Sequence, residues 1–427
     1  MIDRRPALIV RCDNTDDVVA SLKFATENDL DMSVRCGGHS IVGHSVVNGG
    51  LMMDLSPMNK VTVDPTAKIA RVPGGALLGA LDRAAQAHGL ATTAGNVSHT
   101  GVGGLTLAGG MGWLARQFGL ACDNLLSCEV VLADGTVVRA GKTEHPDLFW
   151  GVRGGGGNFG IVTEFVFQLH EIDSRALLVE CYFDLENSPQ AFRWWRDLLA
   201  SAPREATLTA WTGTGGNQDF LPPEYHGQQL ANLGFVWVGD PADGHRYFKT
   251  FLGDLRPIGQ DVRELSYLEL QTIDDSVGQV HGVRRYWKGY YFDEITDETL
   301  DALLARPTVS EQEQGMYPST ALQAYGGAIG EVSTDESSYG HRKAIAEVIT
   351  RTRWTDARED ELRMGVARRF ARTLEHFASG GYVHTANDTA RSGTDFAYAN
   401  DLYQRLVKVK QAYDPDNIFH HNMNIVS

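Results

Sequence analysis

Hydrophobic and polar residues follow two different periods along the first 172 residues. Short apolar runs bounded by polar residues predict strands over residues 7–12, 32–36, 51–55, 69–72, 127–133 and 161–168. Apolar positions three or four residues apart predict a helix capped by the polar run 14–17, and another over residues 77–88 that Gly89 ends. The dipeptide Asp134-Gly135 between two apolar runs predicts a β-hairpin. The first part of the chain therefore mixes helices with short strands.

The pattern changes after about residue 172, where glycine becomes rare and aromatic residues become frequent. Alternation typical of strands in an antiparallel sheet occurs over residues 178–183, 207–212 and 229–238. Helical spacing is predicted over residues 187–200, 243–252, 296–304 and 340–351. A last helix over residues 401–413 precedes an extended tail, 417–425. We therefore expect a glycine-rich first domain, an aromatic-rich second domain and a tail that returns to the first.

The chain has 427 residues, enough for two or three domains, and a formal net charge of −16. This acidic balance argues against nucleic acid or an anionic membrane as a partner, because phosphate groups are bound by basic surfaces. No apolar run of about 18 residues predicts a transmembrane helix, and the first residues lack the apolar core of a signal peptide. The five cysteines are irregularly spaced and have no metal-site pattern, so we expect a reducing, cytoplasmic setting and no bound metal.

Glycine is concentrated in the parts of the sequence where chemistry is most expected. Residues 35–40 read Arg-Cys-Gly-Gly-His-Ser, seven glycines lie from Gly95 to Gly112, and six lie from Gly151 to Gly160. These clusters match neither GxGxxG nor the P-loop pattern. Such glycines serve either in turns and tight packing or as backbone donors to a diphosphate group. Two clusters on either side of a predicted hairpin favour the second interpretation, which is a large cofactor.

Several motifs in a fixed order carry a family resemblance. They lie at residues 35–40, 101–114, 119–127, 147–163, 413–417 and 422–425. Together they resemble the flavin-binding loops and the C-terminal motif of berberine-bridge-enzyme-like oxidases, which belong to the vanillyl-alcohol-oxidase/PCMH flavoprotein superfamily. The resemblance implies an α+β fold, in which a PCMH-type FAD-binding domain of two small α/β subdomains joins an antiparallel-sheet substrate domain with helices on one face. It assigns residues 1–172 to the FAD-binding domain, 173–392 to the substrate domain, and 393–427 to a C-terminal segment that returns to the FAD-binding domain.

The resemblance implies FAD as the cofactor, bonded covalently to His39 through the flavin 8α-methyl carbon. A neutral imidazole is a nucleophile suited to that bond, and His44 is the alternative. Many relatives have a second tether, a cysteine, but the matching residue here is Val97, which predicts a single attachment. The cofactor-binding residues that the resemblance implies are Arg35, Cys36, Gly37, Gly38, His39, Ser40, Ile41, Gly43, His44, Gly95, Val97, His99, Thr100, Gly103, Gly104, Leu107, Gly109, Gly110, Gly112, Trp113, Asn124, Gly160, Ile161, Val162, Asn422 and Asn424.

The family pattern also predicts where a catalytic base belongs, and this chain departs from it. Family members that oxidise alcohols often use a tyrosine base, but the matching residue is Thr385, whose hydroxyl has far too high a pKa for that role. The candidate catalytic residues are Tyr382, His384 and His99, with Tyr325 and Tyr290 as further replacement bases. An amine substrate would supply a neutral lone pair and would need no strong base.

The resemblance implies two-electron oxidation of a small alcohol, amine or phenolic metabolite. Thr100 matches the family position at the oxygen-reactive edge of the flavin, where a small residue is typical of oxidases, so O2 is the expected acceptor and H2O2 the product. A dehydrogenase with another acceptor and a flavin-binding protein without turnover are the alternatives. Residues 286–288, Tyr-Trp-Lys, are either the floor of a substrate pocket or an ordinary strand with one solvated lysine. The expected partners are a small-molecule substrate and O2, without nucleic acid or membrane, and a homodimer is left open.

Overall fold

A small parallel sheet forms the beginning of the fold. The computed structural model describes residues 2–278, 282–305, 313, 315–383, 385, 393–398 and 400–426. Its first elements are strand β1 (Leu8–Arg11), helix α1 (Thr15–Glu27), strand β2 (Met32–Arg35) and strand β3 (Leu51–Asp54). The strands lie in the order β1, β3, β2, and the glycine-rich loop with His39 begins where β2 ends. Asn14 caps α1, because its side-chain oxygen accepts the backbone N–H of Asp17 at 3.0 Å.

A five-stranded antiparallel sheet follows in the chain. The strands of this region are β4 (Thr62–Asp64), β5 (Ile69–Pro73), β6 (Leu90–Ala91), β7 (Leu125–Val131), β8 (Val137–Gly141), β9 (Ile161–Gln168) and β10 (His170–Glu171). The sheet has the order β4, β5, β9, β7, β8, and β6 pairs separately with β10. The predicted Asp134-Gly135 hairpin joins β7 to β8, and Gly135 has φ of 82°, a conformation that favours glycine. The helices here are α2 (Leu78–Gln86), α3 (Val102–Leu107), α4 (Ala115–Phe118) and α5 (Pro146–Val152).

An eight-stranded antiparallel sheet dominates the second half of the chain. Its strands are β11 (Arg175–Asp184), β12 (Ala206–Thr214), β13 (Gln229–Val238), β14 (Gly259–Ser266), β15 (Arg284–Phe292), β16 (Ser319–Ala324), β17 (Ala346–Trp354) and β18 (Gly380–Gly381). They lie in the order β14, β11, β13, β12, β16, β17, β15, β18. The helices are α6 (Ser188–Leu198), α7 (Pro241–Leu252), α8 (Tyr267–Thr272), α9 (Asp275–Gly278), α10 (Asp297–Leu304), α11 (Asp360–Glu375), α12 (Gly393–Ala397) and α13 (Asn400–Tyr413). Short 3₁₀ turns occur at Ala121–Asn124, Pro223–Tyr225, Gly327–Glu331 and Ala357–Glu359.

The two faces of the large sheet have different neighbours. Helices α6, α7, α10 and α11 cover one face, where residues such as Trp195, Phe251 and Phe370 pack against sheet residues such as Phe235. The other face is turned towards the glycine-rich loops of the first half. The predicted α+β fold, with a FAD-domain-like first half and an antiparallel sheet backed by helices on one face, is therefore confirmed. The domain boundaries at residues 172 and 392 stay a prediction.

One predicted element is wrong, and it lies at the centre of the large sheet. Residues 340–351 were expected to form a helix, but residues 346–354 form strand β17 between β16 and β15. Ala346 and Val348 face the helix-covered core, whereas Glu347, Ile349 and Arg351 face away from it. Apolar and polar side chains therefore alternate with a period of two in β17. The alanines at positions 344 and 346 obscured this alternation in the sequence. Because both neighbours of β17 are distant in sequence, tertiary pairing decides the conformation here.

The structure also shows the state of the cysteines and whether any helix could span a membrane. All five cysteines are free thiols, and Cys12, Cys122, Cys128 and Cys181 are buried. In the part of the chain that the structure describes, no helix is both long enough and apolar enough to cross a membrane.

A buried ion pair fixes the C-terminal tail to the first half of the molecule. The ammonium of Lys410 in α13 donates to Asp414 Oδ2 at 2.6 Å, and also to the carbonyl oxygens of Asn158 and Phe419 at 2.9 and 3.0 Å. Asp414 in turn accepts the backbone N–H groups of Ile418 and Phe419, each at 2.8 Å. The side chains of the pair are 3% and 0% exposed, so neither charge has water as an alternative partner.

Replacing Lys410 with methionine is expected to destabilise the protein by about 3–5 kcal/mol, because Asp414 would remain buried without its counter-charge. The measurement is the midpoint of thermal unfolding of Lys410→Met. Lys408→Met is the matched control, since Lys408 lies on the exposed face of the same helix. Equal unfolding midpoints for the two variants would show that the pair does not anchor the tail.

Candidate functional site

A cavity of about 870 Å³ lies between the glycine-rich loops and the uncovered face of the large sheet. Its size lies within the range of small-molecule and cofactor sites, roughly 300–1,000 Å³. The loops after β2, before α3 and before β9 form one wall. Strands β15, β16 and β17 form the opposite wall. The two walls differ in character, since one is mainly backbone and the other is made of long polar and aromatic side chains.

The backbone wall depends on glycines at which another chain segment passes closely. A Cβ atom at Gly37 would lie 2.3 Å from the backbone nitrogen of Gly101, and one at Gly101 would lie 2.4 Å from the nitrogen of Gly37. Both positions therefore exclude side chains. By contrast, Gly104 and Gly157 line the cavity, and a Cβ there would meet no atom within 4 Å. These two glycines leave open space that a flat ligand can occupy against the backbone.

Two histidines meet where the glycine loops cross. His39 Nε2 lies 2.6 Å from His99 Nδ1, and His99 Nε2 lies 3.2 Å from the carbonyl oxygen of Asp275. Because a carbonyl can only accept, a neutral His99 carries its proton on Nε2 and accepts on Nδ1. His39 then donates from Nε2, which leaves the lone pair of its Nδ1 available. The Thr100 hydroxyl lies 3.3 Å from that Nδ1.

The surroundings of His39 keep its imidazole neutral. Burial, the neighbouring His99 and the positive charge of Arg285 lower the pKa of His39 to about 4. The charge of Asp275 opposes this shift only in part, and its carboxylate accepts the backbone N–H of Ser98 at 2.8 Å and the Ser98 hydroxyl at 2.7 Å. At neutral pH the ring therefore offers an uncharged nitrogen to the cavity.

The sheet wall carries a buried carboxyl group among tyrosines. Glu347 of β17 is 6% exposed, lines the cavity, and accepts a hydrogen bond from the Tyr325 hydroxyl at 3.2 Å. Burial raises the pKa of Glu347 to about 7, against the opposing effects of Tyr325 and Arg351. Burial and the charge of Glu347 raise the pKa of Tyr382, so its phenol stays protonated at neutral pH. Of these two groups on the wall, the carboxyl is the better proton acceptor.

Thr385, at which the resemblance predicts the base of alcohol-oxidising relatives, has a structural role. Its hydroxyl accepts the backbone N–H of Gly289 at 2.9 Å and donates to the carbonyl oxygen of Tyr382 at 3.1 Å. Its own carbonyl oxygen accepts from Lys288 Nζ at 3.0 Å, and Lys288 is buried rather than solvated as one interpretation expected. Trp287 alone of residues 286–288 lines the cavity.

Most of the residues predicted to contact a cofactor do line this cavity. They are Arg35, Cys36, Gly37, Gly38, His39, Ser40, Ile41, His44, Gly95, Val97, His99, Thr100, Gly103, Gly104, Leu107, Gly110, Gly160, Ile161, Val162 and Asn422. Asn422 Oδ1 is buried without a hydrogen-bond partner, so an acceptor is available to a ligand there.

Six residues predicted to bind the cofactor are not part of the cavity wall, and their role stays a prediction. They are Gly43, Gly109, Gly112, Trp113, Asn124 and Asn424. The carbonyl of Gly43 accepts from Arg4, Gly109 lies against the Tyr339 ring, and Gly112 passes the backbone of Ala94. Trp113 belongs to the apolar core beneath β11 and β13. The Asn124 amide is used by the carbonyls of Phe118 and Leu120 and by His170. The first five of these residues therefore have structural contacts, whereas Asn424 Oδ1, like Asn422 Oδ1, is buried without a hydrogen-bond partner.

The candidate bases are placed differently from one another. Tyr382 and Tyr325 line the cavity, but Tyr290 faces the opposite, helix-covered side of the sheet, which removes it as a base. His99 is engaged with His39. His384 lies outside the described residues.

Sequence reasoning missed the polar side chains of β17. Glu347, Arg351 and Arg353 all face the cavity, as Arg285 of β15 does. Their alternation with Ala346, Val348 and Thr350 was the available signal, but it was interpreted as helical.

Comparisons with known proteins match this chain to FAD-binding domains and to FAD-linked oxidoreductases. A family model described as FAD binding domain matches residues 6–141, and one described as berberine and berberine like matches residues 382–426. The uncharacterized FAD-linked oxidoreductase YgaK of Bacillus subtilis is 30% identical, over 99% of this chain and 92% of that protein. (R)-6-hydroxynicotine oxidase of Paenarthrobacter nicotinovorans is 28% identical, over 99% and 91%. The crystal structure of 6-hydroxy-D-nicotine oxidase from Arthrobacter nicotinovorans has a TM-score of 0.85 at 28% identity and covers 99% of this chain and 93% of that one.

Replacing Gly104 with leucine is expected to weaken the binding of FAD without disturbing the fold. The added side chain would project into open cavity space, and overpacking of about 1–3 kcal/mol would weaken FAD binding roughly tenfold. Helix α3 itself would gain, because leucine is a better helix former than glycine. The measurement is the affinity for FAD of Gly104→Leu in a background with His39→Ala, in which a covalent bond to His39 cannot mask weaker binding. Gly365→Leu in the same background, a glycine replacement in helix α11 away from the cavity, is the matched control. An unchanged FAD affinity in the Gly104→Leu variant would contradict the assignment of this space to FAD.

Proposed function

Because the chain belongs to the berberine-bridge-enzyme-like family of FAD-linked oxidoreductases, we propose that it oxidises a small alcohol, amine or phenolic metabolite and transfers the electrons to O2. FAD, when bound, supplies the chemistry of hydride acceptance. The observation that carries the proposal is Glu347, a buried carboxyl with a pKa of about 7 on the wall opposite the glycine loops. The chain thus combines the glycine-rich backbone wall, called the cofactor cradle below, with a carboxyl whose pKa suits proton acceptance at neutral pH.

Glu347 is proposed as the base that receives the substrate's hydroxyl or amine proton while the neighbouring C–H leaves as hydride. A group with a pKa near the working pH is effective in this role, since it is partly ionised and still basic. Tyr325 would orient the carboxyl through its 3.2 Å hydrogen bond. This assignment replaces Tyr382 and His99 as the first candidates for the base, and it explains how a chain with threonine at position 385 can retain turnover.

His39 is proposed as the single covalent attachment point of the flavin. The lone pair on His39 Nδ1 is directed by the hydrogen-bond chain through His99 to the Asp275 carbonyl. The lowered pKa of His39 keeps that lone pair unprotonated, as a nucleophile requires. Val97 lines the cavity where many relatives carry a second, cysteine tether, and a valine side chain forms no thioether. His99 is a positioning residue for this step.

O2 is proposed as the electron acceptor, with H2O2 as the product. Thr100 lines the cavity beside His39 and leaves more room than a leucine would. A small-molecule substrate and O2 are thus the proposed partners, a homodimer remains a proposal, and the five free thiols suit a reducing compartment such as the cytoplasm.

His39→Ala is expected to abolish the flavin fluorescence that survives denaturing gel electrophoresis, because no other residue would form the bond. Non-covalent FAD should remain in the native protein, since the glycine cradle is unchanged. His44→Ala is the matched control and should keep the fluorescent band. Fluorescence that persists in His39→Ala, or that is lost in His44→Ala, would assign the bond to another residue.

Anaerobic bleaching of the flavin absorbance by a panel of alcohols, amines and phenols tests the function and then the base. With a compound that bleaches the wild type, the reduction rate should rise with pH through about 7 and level off above it, because Glu347 accepts protons only when ionised. Glu347→Gln should slow reduction about 10²- to 10⁴-fold and remove this pH dependence.

Glu180→Gln is the matched control for the base. Glu180 lies in β11 of the same sheet and burial also raises its pKa, but it does not line the cavity. The rate of flavin reduction in Glu180→Gln should equal that of the wild type.

Admitting air to the reduced enzyme should restore the flavin colour and release H2O2. Bleaching without rapid recolouring would indicate a dehydrogenase, and no bleaching by any compound would favour a flavin-binding protein without turnover.

A further inference from the structure

Two arginines project from strand β17 into the cavity. Arg351 and Arg353 lie on the same face of the strand as Glu347. Pairing with β15 places Trp287 opposite Arg351 and Arg285 opposite Arg353. Two arginines directly opposite each other in a sheet repel, so this register carries an energetic cost unless an anion lies between or beside them.

Neither Arg351 nor Arg353 is neutralised by a carboxylate at ion-pair distance among the residues that the structure describes. The Arg351 guanidinium lies 4.9 Å from the centre of the Trp287 ring, and its Nε is buried without a hydrogen-bond partner. Burial lowers the pKa of Arg351, and burial together with the charge of Arg285 lowers the pKa of Arg353. The half-buried Arg351 is therefore held in surroundings that penalise its charge, and the exposed Arg353 lies beside the like charge of Arg285.

The acidic groups nearby offset this positive charge only in part. Asp274 lines the cavity and its carboxyl attracts both arginines, but burial raises its pKa, and it forms no ion pair with either arginine among the described residues. The carboxylate of Asp275 is already used by Ser98. Glu347, with a pKa of about 7, is only partly ionised at neutral pH. A chain with a net charge of −16 thus concentrates arginine on one wall of its main cavity.

We propose that Arg351 and Arg353 bind a carboxylate of the substrate, so that the molecule oxidised at this site is an organic acid with a planar or aromatic body. A guanidinium fork with free N–H donors matches a carboxylate. The Trp287 ring beside Arg351 offers a stacking surface to the body of the molecule. Four residues of extended strand separate Glu347 from Arg351, roughly 14 Å between their Cα atoms. The acid group is therefore held at the end remote from the C–H bond that is oxidised.

This inference rests on the proposed function only in that it calls the bound organic acid a substrate. Its test measures binding and requires no turnover. The FAD-loaded enzyme is titrated calorimetrically, at low ionic strength, with two pairs of probes: benzoate against benzamide, and acetate against acetamide. Each carboxylate should bind at least tenfold more tightly than its neutral amide. Arg351→Gln and Arg353→Gln should each weaken carboxylate binding about 10- to 100-fold and leave amide binding unchanged.

Two controls keep the outcome specific. Arg358→Gln removes a solvent-exposed arginine whose partner is Asp356, and should behave as the wild type. Arg351→Lys should recover part of the carboxylate preference, since charge is retained but the fork is lost. Equal binding of carboxylates and amides to the wild type would overturn the proposal. So would loss of FAD from the glutamine variants with an unchanged carboxylate preference, because the arginines would then serve the cofactor. An enzyme that binds carboxylates as expected but is never bleached would refute the proposed function and leave the anion site standing.

Discussion

The contact between Gly37 and Gly101 is the constraint on which the site depends. The two backbones approach so closely that a methyl group on either residue would overlap the other's nitrogen. This contact joins a loop that leaves the small parallel sheet to a loop that precedes helix α3, and it brings His39 within 2.6 Å of His99, sixty positions away in the chain. Substitution of either glycine would therefore separate the histidines as well as disturb the packing.

Burial produces the chemistry of both walls, but in opposite directions. It lowers the pKa of His39 and keeps a nitrogen lone pair available, and it raises the pKa of Glu347 into the neutral range. The same desolvation penalises the charge of Arg351, and the like charge of Arg285 disfavours that of Arg353, which increases the advantage of an anionic partner. The cavity thus contains an uncharged imidazole, a carboxyl with a pKa of about 7, and two arginines that have no ion-pair partner among the described residues.

The sequence predicted elements with strong local patterns in both halves of the molecule, but not the side chains that line the sheet wall of the cavity. Strands such as β9 and β13 carry strong local patterns, and the motifs around Gly37 and Gly101 are contiguous in the chain, so both could be identified from short windows. Glu347 could not, because its position depends on the pairing of β17 with strands about 25 and 60 residues away. For Asn124 the motif was identified, but the sequence did not reveal that four hydrogen bonds within the fold use its side chain, and its cofactor role stays a prediction.

The two walls of the cavity differ in how they tolerate substitution, because one is formed by backbone and the other by side chains. The cradle is built from backbone, so a change at Gly37 or Gly101 alters the path of the chain. The sheet wall is built from alternate side chains of β17, and its other face, with Ala346 and Val348, packs into the helix-covered core. Residues 347, 349, 351 and 353 can therefore change without altering the core or the cradle. A backbone wall with fixed geometry thus faces a sheet wall whose side chains are exchangeable, and this second property follows from the alternation along a single strand.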